Sequence, residues 1–152
     1  MQVLNLPPFQ IKTKQDNNGN IQIFDFLRQK YIKLTPEEWV RQHFTHYLID
    51  HKGYPQALLA NEVTISVCGV ARRCDSVLYN AHGGTPRVII EYKAPHIAIT
   101  QTVFQQIYAY NSVLKADYLI VSNGLSHYCC YVDYKKMSVE YLRDIPAFSE
   151  LK

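Results

Sequence analysis

The hydrophobic repeat of this chain changes period near residue 60, and that change limits what the chain can fold into. Val40, Phe44, Tyr47 and Leu48 recur at helical spacing. From Val63 the pattern switches: Val63, Ile65 and Val67 alternate with Thr64 and Ser66, the two-residue repeat of a half-buried strand. A helix followed by a strand meander is therefore expected.

Turn chemistry sets the boundaries. Thr35 suits an N-cap, Pro36 the first helical position, and Glu38 completes a capping box. Gly53 with Tyr54-Pro55 stops that helix, and a short helical or irregular piece covers residues 56–59. Cys68-Gly69 reads as a turn into a second strand over residues 70–79. Residues 80–86 (NAHGGTP) form a loop. A third strand over 87–93 contains Val88-Ile89-Ile90, an apolar run of the central-strand type, closed by Ala94-Pro95. A second helix begins near Thr100, with Val103, Phe104, Ile107, Tyr110, Asn111 and Leu114 at spacings of three and four. Tyr118 to Val121 is a buried strand ending at Ser122-Asn123-Gly124, one more strand covers about 127–133, and a tail follows.

Ahead of the first helix, residues 1–34 read as an N-terminal arm. Asn18-Gly19 is a hairpin signal between Phe9-Gln10-Ile11 and Ile21-Gln22-Ile23-Phe24. Residues 25–33 are basic, and their conformation is left open. Residues 35–152 make up the main domain, in a chain whose 152 residues suit one domain.

Composition excludes some classes. Hydrophobic residues at 47% and charged residues at 19% describe a folded chain. No run approaches the roughly 18 apolar residues of a membrane span, and no signal peptide is recognised, so the expected location is cytoplasmic. Cys68, Cys74, Cys129 and Cys130 fit no zinc spacing and read as small buried hydrophobes. The six histidines show no metal-binding spacing. Twelve tyrosines suit core edges and interfaces, and also stacking platforms for bases. A net charge of +3 permits nucleic-acid binding without arguing for it.

Register brings the chemistry together. A two-residue loop at Cys68-Gly69 sets Val67 against Val70, and stepping back sets Glu62 opposite Asp75. A second hairpin centred near Gly83 sets Asp75 opposite Glu91. Residues directly across a ladder share a face, about 5 Å apart. Lys93, two residues beyond Glu91, shares it too. Three carboxylates and an ammonium would meet, given no bulge. Clustered carboxylates suit a hard cation such as Mg²⁺, which acidifies the water it binds, while a lysine stabilises charge developing on a phosphate. The competing reading is a salt-bridged surface pair. Glu62 has two readings: a further metal ligand, or a partner of Arg73 or Arg72. Those arginines in turn either contact phosphate or are solvated.

Asp75 followed by a hairpin and Glu91-Tyr92-Lys93 resembles the PD-(D/E)xK nuclease superfamily. More closely, the chain resembles the N-terminal nuclease domain of type I restriction enzyme R subunits. That resemblance rests on Leu34 to Gln42 (LTPEEWVRQ), Arg73-Cys74-Asp75, Glu91 to Pro95 (EYKAP), Gln106 to Tyr110 and Ser122-Asn123-Gly124. The motif's Pro is replaced by Cys74. The resemblance implies an α+β, or α/β, restriction-endonuclease-like core of helix, three-stranded antiparallel meander, helix and strand, with a central mixed sheet flanked by helices. It implies that Asp75 and Glu91 bind Mg²⁺, with Mn²⁺ substituting, and that Lys93 is the catalytic lysine. Gln106 and Tyr110 fit its Q-x-x-x-Y motif and would support that lysine, or simply pack the helix on the sheet. DNA is the implied partner, with a separate helicase or translocase or a specificity protein, and a homodimer left open. The chain contains no Walker-type motif. A non-cleaving DNA-binding or protein-interaction module on the same fold, and an RNA-directed nuclease, stand as alternatives.

Overall fold

The computed structural model describes all residues, 1–152. The arm carries β1 (Thr13–Gln15), β2 (Ile21–Asp25) and β3 (Lys30–Lys33), a three-stranded antiparallel sheet. Its first hairpin turns at Gly19, whose φ of 81° needs glycine's freedom. The segment with no readable conformation thus holds a third strand.

α1 (Pro36–Lys52) starts as the capping signal indicates, with the Thr35 hydroxyl accepting from the Glu38 amide at 3.0 Å. The other half of the expected capping box is absent. The Glu38 carboxylate instead faces Arg28 and Arg41 and accepts from Gln42. Gly53 closes the helix in the left-handed region, and a 3-10 turn over Gln56–Leu58 leads into the main sheet.

That sheet contains β4 (Leu59–Val67), β5 (Val70–Tyr79), β6 (Pro86–Tyr92), β7 (Tyr118–Ser122), β8 (His127–Asp133) and β9 (Ser138–Leu142), in chain order. α2 (Gln101–Leu114) makes the crossover from β6 to β7, and that pair is parallel while the rest are antiparallel. β9 replaces part of the expected tail. It is an edge strand with mostly exposed side chains, so no apolar face marks it in sequence. No helix is long and apolar enough to cross a membrane.

The sheet is packed on both faces. Val40, Phe44 and Leu48 of α1 meet Leu78, Val88, Ile90, Tyr92 and Ile120 on one side. Val103, Ile107 and Tyr110 of α2 meet Val77, Ile89, Leu119 and Val121 on the other. Each contiguous run in β6 and β7 feeds alternate residues to the two cores, which is why these strands read as continuous apolar segments. The arm covers the back of α1: Phe9 stacks on His46 at 4.0 Å, and Trp39 donates to the Gln2 carbonyl at 2.8 Å. Cys74, Cys129 and Cys130 are buried as expected. Cys68 is not, because it sits at φ 51° in the exposed two-residue turn between β4 and β5.

Candidate functional site

The register expected from the first turn is the one observed. Val67 pairs Val70, with Cys68 and Gly69 both at positive φ, the type I′ geometry of a tight hairpin. The ladder runs through Val63–Cys74 and resumes at Asn61–Ser76. Glu62 lies opposite Asp75 by count, but its φ of 58° interrupts the pairing there. The second hairpin pairs Ser76 with Ile90, so Glu91 falls opposite Asp75 in the next step. The hairpin is not free of irregularity as the count assumed: a register shift at Leu78/Tyr79 separates the Tyr79–Pro86 pair from the rest of the ladder, and an unbroken count from that pair would set Asp75 opposite Ile90. At Asp75 the two strands have stopped pairing, and the Asp75 side chain takes over. Its Oδ2 accepts from the Tyr92 amide at 2.8 Å.

Glu91 and Lys93 come together on the α2 side. Lys93 Nζ donates to Glu91 Oε1 at 3.3 Å and to Gln106 Oε1 at 3.2 Å. Gln106 Nε2 donates to Glu91 Oε1 at 3.0 Å and to the Tyr110 hydroxyl at 3.1 Å. Gln106 and Tyr110 are one helical turn apart, so α2 presents both to the end of β6. Of the two readings of Gln106, contact with the lysine is what the structure contains. Tyr110 does both jobs, being buried in the α2 core and bonded to Gln106.

The electrostatics follow from burial. Asp75 is 9% exposed and Glu91 4%. Burial and the neighbouring Asp75 push the Glu91 carboxyl up to about 8. Burial also raises Asp75, against the Tyr92 amide and the Arg41 guanidinium, which pull it down. Glu91 Oε2 is buried and has no hydrogen-bond partner. An unpartnered buried carboxylate oxygen beside a second raised acid is a donor set that a hard divalent cation fits.

Glu62 does not join that pair. Its Oε1 lies 2.6 Å from Arg41 and its Oε2 3.1 Å from Arg73. The structure thus contains its alternative, pairing across the hairpin, and no group of three or more His, Cys, Asp or Glu side chains is placed to hold a metal ion. Arg73 is tied to Glu62 although largely exposed, and Arg72 is exposed opposite Ile65 without an ion pair.

Two residues of α1 were not singled out by the sequence and belong to the site. Arg41, 2% exposed, reaches Glu62, lies 3.1 Å from Glu38, and donates to Asp75 Oδ1 at 3.3 Å. The surrounding acids keep its guanidinium charged despite burial. Glu37 is half-buried, its carboxyl raised by burial and then by Asp75, and it in turn raises Glu91. The signal was present: Glu37, Glu38, Arg41, Gln42 and Thr45 form a polar stripe at helical spacing beside the apolar one. Such a stripe ordinarily faces water. Here the arm and the end of the sheet cover most of it.

Ser122, Asn123 and Gly124 build the turn that ends β7 beside the site. The Lys93 amide donates to the Ser122 carbonyl at 2.9 Å, and the Asn123 side chain accepts from the Leu125 and Ser126 amides.

Helix, antiparallel meander, crossover helix and parallel strand, with an Asp and a Glu-x-Lys at the open end of the meander, define a restriction-endonuclease-like fold. The chain belongs to the family described as type I restriction enzyme R protein N terminus, whose sequence profile matches residues 36–146. Among solved structures it is similar to a fragment described as an HsdR subunit of a type I restriction enzyme from Vibrio vulnificus YJ016. The identity is 20% and the TM-score 0.57, over 78% of this chain and 24% of that one, so this chain spans about a quarter of its structural neighbour. No curated protein matches it significantly.

Proposed function

We propose that this domain is a metal-dependent nuclease hydrolysing DNA phosphodiesters, acting within a type I restriction system. The observation that carries the reading is the buried Asp75–Glu91 pair with Lys93 on Glu91 and one Glu91 oxygen left without a partner. Asp75 and Glu91 would hold Mg²⁺, with Mn²⁺ able to substitute. When bound, the ion supplies positive charge at the scissile phosphate and acidifies a coordinated water.

The chain's own residues do the rest. Lys93 brings an ammonium to the same face, where it offsets charge developing on the phosphate. Gln106 holds that ammonium through its amide oxygen while its amide nitrogen donates to Glu91, and Tyr110 fixes Gln106. Arg41 and the Tyr92 amide hold Asp75 by its two oxygens, so the carboxylate is oriented before any ligand arrives. Arg72, exposed near the rim, is a phosphate contact; Arg73 becomes one only on leaving Glu62. Movement along DNA and target choice would be supplied by a separate translocase and specificity protein.

The test is cleavage of duplex and branched DNA with Mg²⁺ or Mn²⁺. Lys93→Ala and Asp75→Ala should abolish it, and Gln106→Leu should slow it by about ten- to a hundredfold while Mn²⁺ binding persists. Cleavage retained in Lys93→Ala, or a wild type inert with both ions on every DNA form, would refute the proposal.

A further inference from the structure

The charge of this protein is not evenly distributed. Residues 1–34 contain Lys12, Lys14, Arg28, Lys30 and Lys33 against Asp16 and Asp25, a net of +3, and the other 118 residues balance at eleven basic against eleven acidic. All of the net charge therefore lies in the arm, outside the nuclease-like core.

The arm's sheet sorts that charge by face. Ile23 and Asp25 of β2 point inward and are buried. The buried Asp25 is neutralised by Arg28, which lies 2.5 Å from it and 3.1 Å from Glu38, while Lys30, paired with Asp25 at the end of the ladder, is exposed. The outward face has two rows set by register. Lys14, Gln22 and Lys33 lie across one, because Lys14 pairs Gln22 and Gln22 pairs Lys33. Lys12, Phe24 and Tyr31 lie across the other: Phe24 pairs Tyr31, and its amide donates to the Lys12 carbonyl at 2.9 Å. The Phe24 and Tyr31 rings are 5.2 Å apart, with Lys14 Nζ 4.3 Å above Tyr31 and Lys12 Nζ 5.8 Å from Phe24. The three lysines are exposed and none has a carboxylate partner. Asp16, the acid near Lys33, is held by its own turn, accepting from the Asn18 and Asn20 amides and the Asn20 side chain.

Phe24 also lines the next feature. A groove of about 320 Å³ lies between the arm and α1, walled by Phe9, Phe24, Phe26 and His46 with Lys12 and Asp50 at its rim. Cations and aromatic rings thus form one continuous strip. Cations bind a phosphate chain, and rings stack with unpaired bases, which a duplex keeps stacked internally.

We propose that this face of the arm binds single-stranded nucleic acid, with phosphates on Lys12, Lys14 and Lys33 and bases against Phe24 and the aromatic groove. The site would hold a strand beside the core, in addition to the contacts of the cleavage site. It rests on the proposed function only in taking nucleic acid as the partner.

The test is fluorescence anisotropy of a short labelled oligothymidylate with the full chain in EDTA, titrated at several salt concentrations. No cleavage is read, so a failed nuclease assay leaves this result standing and the reverse holds too. Each phosphate neutralised on a single strand contributes about −0.7 to the slope of log affinity against log salt. A Lys12→Ala, Lys14→Ala, Lys33→Ala variant should therefore bind about tenfold or more weaker, with a slope shallower by about 2. Phe24→Leu, which keeps the apolar packing, should weaken binding without changing the slope. All substitutions lie outside the cleavage site, and unchanged thermal melting confirms folding. The proposal is overturned if the triple variant keeps the wild-type affinity and slope, if a duplex of the same length binds more tightly than the single strand, or if polyglutamate binds as well as the oligonucleotide.

Discussion

Arg41→Met tests whether the acids of the site are held by one buried cation. In the wild type Arg41 faces Glu62 at 2.6 Å, Glu38 at 3.1 Å and Asp75 at 3.3 Å, with only 2% of its surface exposed. Methionine preserves much of the side-chain volume but leaves Glu38 and Asp75 buried without their main counter-charge. Removing one partner of a buried ion pair costs about 3–5 kcal/mol, a large share of the roughly 5–15 kcal/mol that keeps a domain folded. The loss should depend on pH. Burial already raises Glu38 and Asp75 above the ordinary carboxylate values of 4.5 and 3.8, and losing Arg41 raises them further. The folded variant then holds protons that the unfolded chain releases, so its deficit grows as pH rises from about the ordinary carboxylate value towards neutrality. Urea unfolding of wild type and variant at about pH 4.5 and pH 7.5 measures this. A deficit below about 1 kcal/mol at the higher pH, or an equal deficit at both, would refute the reasoning.

Two other perturbations follow from single contacts. Glu91→Gln in EDTA should be more stable than wild type, because a carboxyl raised from 4.5 to about 8 disfavours the folded state increasingly between those values and not below them. The full interval sets an upper bound on the order of 5 kcal/mol, and relaxation should leave about 1–3 kcal/mol at pH 8; equal melting of the two proteins at pH 8 would contradict the burial of an ionised Glu91. Gly124→Ala should cost about 2 kcal/mol by denaturant unfolding, since φ is +83° and the added Cβ would lie 2.8 Å from the buried Leu4 side chain of the arm; a neutral substitution would mean that Leu4 and this turn are not packed together.

The sequence by itself determined what depends on local chemistry. A two-residue turn at Cys68-Gly69 and a loop centred at Gly83 specify register by counting, because side chains alternate faces with a period of two. That was enough for the β4–β5 ladder and for Lys93 on the same face as Glu91, whereas Asp75 comes opposite Glu91 only with the register shift at Leu78/Tyr79, which the count assumed absent. Thr35, Gly53 and the apolar spacings of α1 and α2 did the same for the helices. Only the tertiary structure decided where polar side chains are buried and whom they meet. Glu62 was in register with Asp75, yet a guanidinium from another element, Arg41, pairs with it. Glu38 read as half of a cap, yet Arg28 from the arm and Arg41 draw its carboxylate away. The first arises because α1 packs on the end of the sheet and the second because the arm also folds over α1, and the two layers together take a polar stripe out of water. Such a stripe has the same spacing whether it faces solvent or a second layer, and only the packing of that layer turns its charges into the scaffold of a site.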